Sequence, residues 1–275
     1  MILVTGATGK VGRELVRELK AAGVPFRVGV RHPESHGEGA VLFDFDRPET
    51  FPAALAGVDR LFLLTSGGTE REVAAVEAAK QARVSHVVKL SVWGAEEDAC
   101  TIGRAHRAVE KAIEASGLPW TFLRPNGFMQ NLSTYKRDGI RSQGVIADST
   151  ADSAWSIVDA RDVGAVAAKA LTERGHEGRA YKLSGPEALS QTQMAEKISE
   201  ATGRTVRYVD LSDAAYRAAQ VGFGVPQAWA DALVDLNVYY RTGAGAPVTP
   251  DVAKILRRPP GTFDRFARDH SAVWQ

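Results

Sequence analysis

Three glycines, Gly6, Gly9 and Gly12, punctuate the stretch Ile-Leu-Val-Thr-Gly-Ala-Thr-Gly-Lys-Val-Gly at residues 2–12, and a helical pattern follows at once. A turn of this kind lets the backbone approach a phosphate, and the free amides and dipole at a helix start favour its negative charge. The chemistry implied is the seating of a dinucleotide pyrophosphate. The spacing is Gly-x-x-Gly-x-x-Gly, not the commoner Gly-x-Gly-x-x-Gly, so the signal draws its weight from lying between a strand and a helix. A tight turn with no ligand is the alternative.

The second strand decides which dinucleotide fits. Sites for NAD place a carboxylate about 20 residues after the glycine turn, where it binds the ribose hydroxyls. Here the strand ends in Val30-Arg31-His32-Pro33, and no acidic residue occurs between Glu18 and Glu34. A guanidinium at Arg31 suits a 2′-phosphate, which predicts a preference for NADP(H). A solvated arginine at a strand end is the alternative. Further along, His106 and Glu110 stand four residues apart on one helical face. Imidazole titrates near neutral pH and could move a proton, or the two could form only a surface pair.

These residues need a scaffold. Ile2–Val4 suit a buried parallel strand, and Val11, Leu15, Leu19 and Ala22 recur at helical spacing. Strands are expected at Ile2–Thr5, Phe26–Val30, Ala40–Phe43, Arg60–Leu64, Val87–Leu90 and Trp120–Leu123. Helices alternate with them near 10–22, 70–82 and 104–116, the first and last closed by Gly23 and Gly117. This is the pattern of a parallel sheet covered on both faces. The later chain adds a helix at Val163–Leu171 and a strand at Ala180–Leu183, after which helices dominate. Ser190 and Gln193 form a capping box, and Gly203 ends that helix. Pro226 suits a first helical residue before Trp229, Leu233, Leu236 and Tyr240, a stripe expected to pack in the core. Glycines flanking the segment leave a mobile lid as the other option.

The expected fold class is α/β: a Rossmann-type doubly wound parallel sheet with a smaller, mainly helical C-terminal substrate or lid region. The division expected is residues 1–155 for the nucleotide-binding domain and 156–275 for the region that completes the sheet and forms the substrate-binding subdomain. Length is sufficient for a substantial core. With 34 Lys and Arg against 33 Asp and Glu, nothing argues for nucleic acid or an anionic membrane as partner. The single cysteine, Cys100, excludes an internal disulfide framework; a lone thiol of this kind is more often inert than reactive. No metal-site spacing, basic leader or membrane-length apolar run is seen, so a cytoplasmic protein without a metal is expected. A homodimer is left open.

Gly6-Ala-Thr-Gly-Lys-Val-Gly12, Leu123-Arg-Pro-Asn-Gly-Phe-Met-Gln-Asn131 and Val158-Asp-Ala-Arg-Asp-Val-Gly164 together resemble the NmrA-like branch of the atypical short-chain dehydrogenases/reductases, which includes small bacterial quinone reductases. The resemblance implies that Gly6, Thr8, Gly9, Lys10, Val11 and Gly12 hold the pyrophosphate and Arg31 the 2′-phosphate. It implies that Asp44 and Phe45 lie near the adenine, that Leu64, Thr65 and Ser66 run beside the cofactor, and that Pro125, Asn126 and Phe128 approach the nicotinamide. The superfamily's Tyr-x-x-x-Lys pair is missing, and the resemblance puts His106 near the usual proton donor. Ser91 stands where the superfamily often has a substrate-binding hydroxyl, followed by Trp93, while Asn131 brings an amide to the same side. Humbler roles for these three are a turn cap, core packing and a helix cap.

Two functions follow as expectations. The preferred one is an NADPH-dependent oxidoreductase passing hydride to a small electrophile such as a quinone, an enone or an imine, chemistry for which the cofactor supplies the difficult step. The alternative is a non-catalytic NADP(H)-binding redox sensor that regulates a protein partner. An epimerase is disfavoured, because that chemistry relies on the missing tyrosine. Replacing Arg31 by Asp is expected to weaken NADPH far more than NADH in parallel binding titrations; equal losses would contradict the assignment of the 2′-phosphate.

Overall fold

Among the described residues, nine strands form one seven-stranded and one two-stranded sheet, in a computed structural model that describes residues 1–37, 39–65 and 68–275. In chain order the strands are β1 (Ile2–Thr5), β2 (Phe26–Val30), β3 (Ala40–Leu42), β4 (Arg60–Leu63), β5 (His86–Leu90), β6 (Trp120–Pro125), β7 (Val145–Asp148), β8 (Arg179–Leu183) and β9 (Arg207–Asp210). The helices are α1 (Lys10–Ala21), α2 (Phe51–Leu55), α3 (Thr69–Gln81), α4 (Thr101–Ser116), α5 (Gln130–Ser133), α6 (Arg137–Gln143), α7 (Ala160–Thr172), α8 (Gln191–Thr202), α9 (Asp213–Gly222), α10 (Gln227–Arg241), α11 (Asp251–Leu256), α12 (Phe263–Asp269) and α13 (Ser271–Trp274). The large sheet runs β3-β2-β1-β4-β5-β6-β8. Strand order reverses at β1, so β2 and β4 diverge from it on either side. That is the doubly wound arrangement, and it opens a crevice at the carboxyl ends of β1 and β4.

The chain packs as two interleaved units: Met1–Val92, Ala105–Pro125 and Ala160–Lys182 form one; Trp93–Arg104, Asn126–Asp159 and Leu183–Gln275 form the other. A single cut between residues 155 and 156 therefore does not describe it. The second unit is no smaller than the first, because it takes in residues 93–104 and 126–159 as well as the C-terminal stretch.

In the first unit, strands buried on both faces explain the near-continuous apolar runs. Leu3, Leu61, Leu63, Val87 and Phe122 share one core cluster with Phe43, Phe51, Val76, Val109 and Ile113. Helix α1 buries Val11, Gly12, Leu15 and Leu19. Ala22, expected on that stripe, is exposed, since the helix stops at Ala21 and Gly23 turns the chain away at φ +63°. Gly164 of α7 sits against α1: a Cβ there would lie 2.5 Å from Glu14 Cβ and 2.9 Å from the backbone of Glu14 and Leu15.

The second unit holds β7 and β9 as a parallel pair, with Val145 opposite Arg207 and Asp148 opposite Asp210. Its core gathers Trp93, Met129, Leu132, Trp155, Met194, Ile198, Tyr240, Phe263, Phe266 and Trp274. The Ser190–Gln193 capping box forms, and Gly203 closes α8 in the left-handed region. Helix α10 departs from expectation: Pro226 is its cap, and Trp229 is 52% exposed. Tyr240, on the same stripe, is buried in the core and Leu236 packs against that core, so it is the start of the stripe that lies outside; Asn237 is buried as well, donating to Asp148 Oδ1 at 2.7 Å and Ser149 Oγ at 3.0 Å. Among the described residues, no helix is long and apolar enough to cross a membrane.

Changing Gly164 to Ala should push α7 off α1 and lower stability by about 1–3 kcal/mol, the usual penalty for overpacking. Thermal or urea unfolding reads this directly; an unchanged midpoint would mean that the two helices have room to spare.

Candidate active site

Gly6, at φ +62°, takes a conformation that side chains disfavour, and its hypothetical Cβ would sit 3.1 Å from Leu64 atoms. Gly12 is more constrained, since a Cβ would lie 2.0 Å from the Gly6 carbonyl oxygen. The turn is closed by Gly9 N–H donating to Gly6 O at 3.0 Å. Helix α1 then begins at Gly9 with no side-chain cap and no acidic residue in its first turn. A glycine cradle leading to an uncapped helix start is a suitable seat for a pyrophosphate. Thr8 is exposed at its rim, and Lys10 and Val11 open the helix.

The neighbouring segment is tied to this turn. The buried Thr5 hydroxyl lies 3.0 Å from the carbonyls of Phe62 and Leu64 and accepts from Leu64 N–H at 2.9 Å. Leu64 and Thr65 thus leave β4 beside the glycine turn; Ser66 lies outside the described residues. At the end of β2, Arg31 is exposed, and no carboxylate pairs with it among the described residues, whereas His32 meets Glu34 at 3.3 Å. After β3, the Asp44 carboxylate accepts from Asp46 N–H at 3.0 Å, and Phe45 packs edge-on to Phe43 with centroids 5.1 Å apart. Asp44 therefore shapes its own turn, leaving Phe45 half-buried next to it. The carboxyl ends of β1, β2, β3 and β4 carry these groups in one unit, and they fit an NADP(H)-type dinucleotide.

Beyond β5 the structure shows what the sequence did not announce. Lys89 of β5 has no exposed surface, and its ammonium meets side chains from α3 and α4. It donates to Glu72 at 3.0–3.1 Å, to the Leu90 carbonyl and to His106 Nδ1 at 3.3 Å. Glu72, in the first turn of α3, also accepts from Thr65 N–H at 3.0 Å. Helix N-termini favour such a carboxylate. His106 is therefore not paired with Glu110. That residue is fully buried and held by Arg124 through two bonds of 2.9 and 2.7 Å, with Arg107 at 3.1 Å. Burial, and second the Lys89 charge, hold the His106 imidazole well below its ordinary range. It is neutral near pH 7, and with Nδ1 accepting, the ring proton sits on Nε2. A lysine in the middle of Val87-Val88-Lys89-Leu90 was the available sign, because a charge in a buried parallel strand needs a partner and a reason.

Ser91, at the same end of β5, has a buried hydroxyl with no hydrogen-bond partner among the described residues. The remaining expected residues belong to other settings. Trp93 is buried in the core of the second unit and donates to Ala244 O at 2.9 Å. Asn126 spends its amide entirely within that unit: it donates to Ser156 Oγ and Gly245 O, and accepts from Tyr240 O–H and Gly127 N–H. Pro125 ends β6, Phe128 bridges to Val158, and Asn131 lies half-buried in α5. The Cys100 thiol is buried, and that burial pushes its pKa up, the condition of an inert cysteine.

Comparison with known proteins gives relatives that match along the whole chain. The chain is 38% identical to an NAD(P)H azoreductase of Xenophilus azovorans, covering 100% of this chain and 99% of that protein. It is 41% identical to a (4-alkanoyl-5-oxo-2,5-dihydrofuran-3-yl)methyl phosphate reductase of Streptomyces griseus, with the same coverage. Its structure superposes with a TM-score of 0.88 on an NADPH-dependent quinone oxidoreductase of Escherichia coli complexed with NADPH, at 27% identity over 98% of this chain and 99% of that one. A family model described as NmrA-like matches residues 1–258, and the chain belongs to the NmrA-like family.

Proposed function

We propose that this protein is an NADPH-dependent reductase that delivers hydride to a small, planar, conjugated electrophile of the quinone, enone or imine kind. The observation that carries the reading is the glycine cradle at the switch point between β1 and β4, with Arg31 exposed at the end of β2 and unpaired with any carboxylate among the described residues. Similarity to the azoreductase, the furanyl phosphate reductase and the quinone oxidoreductase supports it.

Gly6, Thr8, Gly9, Lys10, Val11 and Gly12 would hold the pyrophosphate and Arg31 the 2′-phosphate, with Asp44 and Phe45 towards the adenine. Leu64 and Thr65 would flank the cofactor, and Pro125, Asn126 and Phe128 would serve the nicotinamide end. Because the Asn126 amide is already saturated, its part there would be to fix the backbone of its own segment. When bound, reduced nicotinamide supplies the hydride. The protein then has to orient the acceptor and provide a proton. Ser91 offers an unmatched hydroxyl for the first task, and His106, with its ring proton on Nε2, is the proton donor for the second.

Purified protein tested for NADPH consumption against quinones, enones and cyclic imines, with NADH in parallel, should turn over at least one class and prefer NADPH. His106→Ala should lower kcat by about 10²- to 10⁴-fold, the usual worth of a general acid, and leave NADPH binding intact. Tight NADPH binding without consumption across the panel is what a redox sensor would give, and it would contradict the enzyme.

A further inference from the structure

We propose that Lys89 and Glu72 back His106 as a proton store, so that protonation of the substrate runs through a Lys89–His106 relay. The proposal rests on the reductase reading and adds two residues to it.

The difficulty it resolves is chemical. A neutral imidazole that gives up its Nε2 proton becomes an imidazolate, a strong base, unless Nδ1 gains a proton at the same time. In this structure Nδ1 faces the Lys89 ammonium at 3.3 Å. As the substrate accepts hydride from reduced nicotinamide, its π electron pair moves to the conjugate oxygen, nitrogen or carbon. That atom forms a bond to the Nε2 proton, and the N–H electron pair stays in the ring. The Nδ1 lone pair takes a proton from Lys89 Nζ, which keeps the other electron pair as a neutral amine. The substrate has gained one hydride and one proton, and nicotinamide is oxidised. After product departs, water protonates Nε2 and the Nδ1 proton returns to Lys89, so the fully buried lysine needs no other route to solvent.

The surroundings leave this path distinct. From α3, Glu72 faces Lys89 with both carboxylate oxygens. From α4, Glu110 is committed to Arg107 and to Arg124 of β6, and competes for neither His106 nor Lys89. Ser91, two residues after Lys89 and just past the end of β5, has a buried hydroxyl with no hydrogen-bond partner among the described residues. Lys89 and Glu72 act through His106 and are positioning residues in this scheme.

The test combines nitrogen NMR of the histidine rings with kinetics. In the wild type without substrate, His106 should carry its proton on Nε2 and stay neutral through roughly pH 6.5, the ordinary midpoint for histidine. The double variant Lys89→Met/Glu72→Met removes both charges together, which avoids the uncompensated buried charge that either change alone would leave. It should fold, bind NADPH within a few-fold of wild type, let His106 titrate nearer the ordinary value, and lose about 10²- to 10⁴-fold in kcat with little change in KM. Glu72→Gln keeps the shape, and should move the alkaline limb of the kcat/KM profile to lower pH. Wild-type kcat and pH profile in both variants, or a proton on Nδ1 in the wild type, overturns the relay while the reductase stands. A wild type that consumes no NADPH overturns both.

Discussion

An ammonium group with no access to water has to be matched by the protein, and the Lys89 ammonium in β5 is matched three times over. Each match recruits a different part of the first unit. Glu72 brings the start of α3 and, through Thr65, the segment leaving β4; the Leu90 carbonyl fixes the end of β5; His106 brings α4. Losing one partner from a buried pair typically costs about 3–5 kcal/mol, since the other charge is left stranded. Well-packed apolar side chains would do as well for stability alone. The pair is thus better explained by what it arranges at the carboxyl end of the sheet than by its contribution to folding.

The glycine turn works under a steric constraint of similar force. The absence of a Cβ at Gly12 is what lets α1 start directly above the Gly6 carbonyl, and Gly164 plays the same part where α7 meets α1. Two of the three sequence segments that carry the family likeness are thereby explained by backbone approach. The third carries Arg124, whose two bonds to Glu110 clamp β6 to α4, and Asn126, whose amide is consumed inside the second unit. Both are scaffold residues by their bonding. They hold in place segments whose backbones the proposed function needs.

Much of the secondary structure was legible because its signals are local. Apolar runs of strand length, Gly23 and Gly117 after amphipathic stretches, and the Ser190–Gln193 box each declare themselves within a few residues. The place of Arg31, exposed just after β2, was legible for the same reason. The interleaving of the units was not, since residues 93–104 and 126–159 join the second unit through tertiary packing that leaves no period in the sequence. Trp229 misled because helical spacing predicts a stripe but not how far along the helix the core extends: Tyr240 and Leu236 of the same stripe meet the core, while Trp229 at its start is exposed. The partner expected for His106 was Glu110, at the favourable spacing on the same helix, whereas the group it meets is Lys89, 17 residues away in sequence and 3.3 Å away in space.

The most direct measurement is a crystal structure with NADPH bound. The account predicts the pyrophosphate on the backbone of Gly6–Gly12, the 2′-phosphate against Arg31, and the nicotinamide towards Ser91 after β5 and His106 of α4. A dinucleotide bound away from the glycine turn, or a 2′-phosphate turned away from Arg31, would contradict it.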